Sequence, residues 1–141
     1  MTGEPEFLPM TVAEAERLGI DRFDIILITG DAYVDHPFFG TALLGRVLWD
    51  AGFSVGVIAQ PDWRRDADFR RLGEPRLFFS ISAGNVDSMV NAFTPNLKRR
   101  NSDVYSPGGR FLRPDRATLV YTDRVHALFP GTPIVIGGIE S

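Results

Sequence analysis

A parallel α/β sheet with helices on both faces is the fold class this sequence predicts, and three observations predict it. Residues 25–29 read Ile-Ile-Leu-Ile-Thr, an unbroken apolar and β-branched run that suits a central strand buried on both faces. Similar short runs recur at 53–59, 76–82 and 133–137. The stretches between them carry helical spacing and are long enough for the crossovers that join parallel neighbours. Together they predict a three-layer, flavodoxin-like (Rossmann-like) sandwich with strand order 2-1-3-4, built from residues 1–141 as one domain.

Each element follows from local chemistry. Thr11 and Glu14 have capping-box spacing, with the threonine oxygen placed to accept from a first-turn amide and the glutamate to reach back to the cap amide, so a short helix is expected over Val12–Leu18, ending at Gly19. The first strand, 24–30, ends at Gly30. A helix then starts near Pro37, whose missing N–H is harmless in a first turn. Leu44, Val47, Leu48 and Ala51 give that helix its apolar spacing, and Gly52 stops it. The second strand runs from Phe53 to Ala59. Asp66–Leu72 reads as a short surface helix closed by Gly73, and Arg76–Ser82 as the third strand. Asn85 is placed to cap a helix from Val86 to about Phe93. Residues 94–113 show neither period, and a structureless run of that length inside a domain usually marks a functional loop. Pro114 opens a helix whose Ala117, Val120, Tyr121, Val125 and Leu128 share a face, and Pro133–Gly137 forms the fourth strand. Ile26, Ile28, Val57, Phe79, Ile81 and Val135 are expected to be almost fully buried. The glycine pair at 137–138 should feed another element, which predicts a longer parent protein.

Composition narrows the function classes. A net charge of −3 gives no general attraction to nucleic acid, and no stretch approaches the roughly 18 apolar residues of a membrane helix, so a cytoplasmic protein with neither nucleic acid nor membrane as partner is expected. There is no cysteine, hence no disulfide, no thiolate nucleophile and no cysteine-held cluster within these residues. Trp49 and Trp63 read as core or interface anchors. Arg64, Arg65, Arg70 and Arg71 read as a solvated face.

Open α/β sheets bind ligands outside the carboxyl ends of their strands. Polar residues collect there: Asp31, Asp35 and His36 after the first strand, Gln60 and Asp62 after the second, Asn85 and Asp87 after the third, and Glu140 after the fourth. With order 2-1-3-4 the first and third exits flank the switch point, so Asp31, His36 and Asn85 would face one crevice. Aspartates after strands also serve as ordinary turn residues, and His36 before Pro37 also suits a plain helix start. Lys98, Arg99, Arg100, Asp103 and Tyr105 in the long loop are candidate contacts.

Several cofactor patterns fail. Gly30 is followed by Asp31 and the next glycine is Gly40, so the G-x-G-x-x-G of a dinucleotide fold is missing, as is the Gly-Lys-Ser/Thr of a P-loop. Ser82-Ala83-Gly84 stands where a phosphoacceptor aspartate would end the third strand, and the acidic first loop would repel a flavin phosphate. The D-x-H-x-x-G of cobalamin domains is also broken, because Asp35 and His36 are adjacent and Gly40 lies four beyond the histidine.

The runs FLPMT, GDAYVDHPFFGTALLGRVL, GFSVGVIAQPDW, AGNVDSMVN, RPDRATLVYTDR and IVIGGIE resemble the N-terminal region of YgiQ-type radical SAM proteins over nearly the whole chain. The resemblance implies a cobalamin-binding-domain-like α/β domain preceding a radical SAM barrel, whose C-x-x-x-C-x-x-C motif holds a [4Fe–4S] cluster and S-adenosylmethionine. Those ligands have no counterpart here. The implied function is that of an accessory domain without catalytic residues or a metal of its own, partnered by its own C-terminal barrel and helping to enclose an unidentified substrate. The isolated chain is expected to hold neither a cluster nor tightly bound cobalamin. The alternative is a protein- or RNA-interaction module that docks through the 94–113 loop.

Overall fold

The structure, a computed structural model, describes residues 8–30, 40–83 and 116–137. Strands β1 (Ile25–Thr29), β2 (Val55–Ala59), β3 (Phe78–Ser82) and β4 (Ile134–Ile136) pair in parallel in the order β2-β1-β3-β4, as the sequence predicts. Around them lie α1 (Val12–Arg17), α2 (Gly40–Asp50), α3 (Asp66–Arg70) and α4 (Ala117–Leu128). Helix α2 packs on β1 and β2, while α4 packs on β3 and β4 and touches α3.

The sheet separates two apolar layers. On one face Ile25, Leu27, Val55 and Val57 meet Leu8 and Trp49. On the other, Ile26, Ile28, Ile58, Phe79 and Ile81 meet Phe69, Tyr121 and Val125. All five residues of β1 are buried, because strands flank it on both edges and apolar layers cover both faces. Each fully buried side chain of this kind contributes about 1.5–3 kcal/mol. Across the second layer the Phe69 and Tyr121 rings stand 6.0 Å apart and tilted, which fastens α3 to α4.

Val135 departs from expectation: it is 49% exposed, whereas Ile26, Ile28, Val57, Phe79 and Ile81 are buried. Both β2 and β4 are edge strands, but Val57 of β2 is packed in the layer with Leu8 and Trp49, whereas Val135 joins neither apolar layer. The face of α2 also differs. Ala42, Gly45 and Trp49 are buried, while Leu43, Leu44 and Val47 are exposed. Small residues let the helix lie close to the sheet, and a Cβ on Gly45 would meet the Leu8 side chain. Spacing counted on large residues alone picked the wrong stripe.

Strand starts differ for a shared reason. Ser54 precedes β2 and Asp24 precedes β1, and the two exchange hydrogen bonds: Asp24 N–H donates to Ser54 Oγ and Ser54 N–H to Asp24 Oδ2, both at 2.9 Å. Arg76, expected inside the third strand, instead lies 3.6 Å from Asp24 Oδ1, and its N–H donates to the Phe23 carbonyl. At α1, Thr11 Oγ1 accepts from Glu14 N–H at 3.1 Å as predicted, but Glu14 Oε2 accepts from Met10 N–H, one residue before the cap. The start of α2 near Pro37, the helix 86–93 and the loop 94–113 lie outside the described residues.

Candidate functional site

All four strands run the same way, so the residues that follow them, Gly30, Gln60, Ala83 and Gly137, lie at one edge of the sheet. A line of hydrogen bonds fixes three of these exits to one another. Gln60 N–H donates to the Thr29 carbonyl at 2.8 Å, and Gln60 Nε2 donates to the Gly30 carbonyl at 3.0 Å. Gly30 N–H in turn donates to the Ser82 carbonyl at 3.2 Å. Both polar groups of Gly30 are therefore held by neighbouring strands, and the point where the chain leaves β1 is set from both sides.

Gln60 takes an unusual backbone to do this. Its φ is +45°, in the left-handed region, although a residue before proline is ordinarily extended. Such a conformation costs about 1–3 kcal/mol, and it persists where the surroundings over-determine it, commonly at ligand-facing sites. The side-chain bond to Gly30 is part of that over-determination.

Asp62 has a different setting. Its Oδ1 accepts from Arg64 N–H at 3.1 Å and its Oδ2 lies 3.4 Å from Arg65 Nε. Asp62 N–H donates to Asp68 Oδ2 at 2.6 Å, tying the turn to α3. Arg64 stacks 4.6 Å above the Trp63 ring, and the Trp63 carbonyl accepts from Arg124 Nε of α4 at 2.7 Å. This loop is thus built by its own charges, and Arg124 secures it to the layer below. Trp49 is buried and Trp63 packs against the core, as expected of anchors.

Of the sequence-derived site residues, Gln60 and Asp62 are placed by the structure. Asp31, Asp35, His36, Asn85, Asp87, Glu140, Lys98, Arg99, Arg100, Asp103 and Tyr105 lie outside the described residues. The positive φ of Gln60 escapes sequence reasoning. Its one signal is a long polar side chain held directly between a buried strand and Pro61. Among the described residues no group of three or more His, Asp or Glu side chains is gathered as for a metal ion, and no helix is long and apolar enough to cross a membrane.

A four-stranded parallel sheet of order β2-β1-β3-β4 flanked by helices defines an α/β domain of the Rossmann-like class. Comparison with known proteins gives the family. The chain belongs to the radical SAM N-terminal family, whose profile matches residues 7–141. It is 59% identical over 133 residues to a UPF0313 protein of Methanosarcina mazei, covering 94% of this chain and 21% of that protein. A UPF0313 protein of Thermotoga maritima is 57% identical over 136 residues, covering 96% of this chain and 24% of its own length. One from Pseudomonas aeruginosa is 54% identical over 140 residues, 99% of this chain and 19% of its own length. The chain therefore spans a quarter or less of these relatives. No solved structure matches it.

The family name implies a [4Fe–4S] cluster and S-adenosylmethionine. A cluster of that kind needs thiolate ligands, and these 141 residues contain no cysteine. The residues present do not fit the group, so any cluster belongs to the remainder of a full-length protein.

Proposed function

We propose that this chain is the N-terminal accessory domain of a radical SAM iron–sulfur enzyme, and that its strand-exit loops help to enclose that enzyme's active site. The cluster, the S-adenosylmethionine and the reaction belong to a C-terminal barrel in the same cytoplasmic protein. The observation that carries this reading is the hydrogen-bonded line through Gln60, Gly30 and Ser82, which fixes the exits of β2, β1 and β3 at the edge where sheets of this class face ligands. In the sequence Gly30 is followed by Asp31, Asp35 and His36, and Ala83 by Asn85 and Asp87, so the segments after these fixed exits carry carboxylates, an imidazole and an amide.

In this reading the domain works by position. A wall of fixed loops excludes water from a reactive centre, and its polar groups orient a substrate without exchanging electrons or protons with it. Photo-crosslinking in the full-length protein tests the geometry. Benzophenone introduced as His36→p-benzoylphenylalanine should form an intramolecular adduct with residues beyond 141. Adducts confined to residues 1–141, or formed only with a second molecule, would favour an interaction module and overturn the accessory reading.

A further inference from the structure

The edge strand β4 leaves apolar side chains open. Val135 is 49% exposed and Ile136 43% exposed, and adjacent strand residues point to opposite faces, so apolar surface is open on both sides of this strand. Ile136 pairs in register with Ile81, which belongs to the layer under α4, and Val135 pairs with Ser80 on the other side. A helix or loop laid on one face would cover one of the two residues only.

The edge itself is also open among the described residues. Phe79 N–H donates to the Pro133 carbonyl and Gly137 N–H donates to the Ile81 carbonyl, both at 3.0 Å, which sets the β4 groups that point inward. By alternation the N–H and C=O of Ile134 and Ile136 point outward.

We infer that in the full-length protein the sheet continues, with a fifth parallel strand from the polypeptide after residue 141 pairing with β4. Parallel addition needs a crossover of about a dozen residues or more, usually helical. Right-handedness puts that helix on the α4 face, since the step from β4 outward repeats the direction of the step from β3 to β4. It would cover Ile136, while the chain leaving the new strand would be the one to reach Val135. Relatives of which this chain spans 18–24% have ample length for it, and a domain named N-terminal leaves that length after it. A second copy is a poorer occupant, because pairing two three-residue edges falls well short of the roughly 1,200 Å² that a stable interface buries.

This surface is separate from the strand exits, so its test stands apart from that of the proposed function. Residue-resolved hydrogen exchange on the full-length protein compares two neighbouring amides. Gly137 N–H, bonded to Ile81, should be protected whatever happens outside. Ile136 N–H should exchange about 100-fold or more below its unstructured rate if a strand pairs with it. Free exchange at Ile136 beside a protected Gly137 would refute the inference. A crosslinker introduced as Val135→p-benzoylphenylalanine should give an adduct beyond residue 141. Attachment to residues 84–115, attachment to another molecule, or no attachment would each overturn it.

Discussion

Gln60 lets the strain and the tie at the strand exits be separated by three substitutions. The side-chain bond from Nε2 to the Gly30 carbonyl is 3.0 Å long, and a net hydrogen bond of this kind contributes about 0.5–1.5 kcal/mol. The backbone φ of +45° costs a non-glycine residue about 1 kcal/mol or more, which glycine avoids. Gln60→Ala loses the bond and keeps the strain, so it should destabilise by about 1 kcal/mol. Gln60→Gly loses the bond and relieves the strain, so its net change should lie within about 0.5 kcal/mol of zero. Gln60→Val loses the bond and adds β-branching at positive φ, for a loss of about 2 kcal/mol or more. Urea denaturation of the three variants at constant m-value reads the order directly. A glycine variant less stable than the alanine variant, or a valine variant equal to the native chain, would show that the backbone at Gln60 is not strained as described.

Two further substitutions test the frame. Phe69 is fully buried against Tyr121, and Phe69→Ala should cost about 3–5 kcal/mol, seen as a large drop in unfolding midpoint; a loss below 1 kcal/mol would mean that α3 is not fastened through this ring. Asp24 holds Ser54 and lies beside Arg76 at the opposite end of the sheet from the strand exits, so Asp24→Ala should cost about 1–3 kcal/mol while S-adenosylmethionine cleavage by the full-length protein stays unchanged; lost cleavage with unchanged stability would contradict a purely structural role.

Much of the fold was legible because hydrophobic patterning reports burial directly where burial is complete. β1 read as a central strand from five consecutive apolar or β-branched residues, and every one of them is buried. Legibility fell where burial depends on neighbours. Val135 has the same side chain as Val57 and both lie on edge strands, yet Val57 is covered by Leu8 and Trp49 while Val135 joins neither apolar layer. On α2, Gly45 contributes nothing to an apolar count, although its lack of a side chain is what admits Leu8. At the site, sequence reasoning found that polar residues follow the strands, since that needs only the strand positions. It did not find that Gln60 adopts positive φ, because the contacts that accompany that conformation, to Thr29 and Gly30, lie across the sheet rather than beside it in sequence.

The central claim is that the β1 exit loop serves an active site housed in the rest of a full-length protein. Asp31→Asn and His36→Gln, introduced into that protein after cluster reconstitution, test it through paired readings of 5′-deoxyadenosine formation and melting temperature. The account predicts a rate lowered about tenfold, equivalent to about 1.4 kcal/mol of barrier, with a melting temperature within about 2 °C of the native protein. An unchanged rate with a lowered melting temperature would contradict it, and would leave Asp31 and His36 as turn and helix-start residues alone.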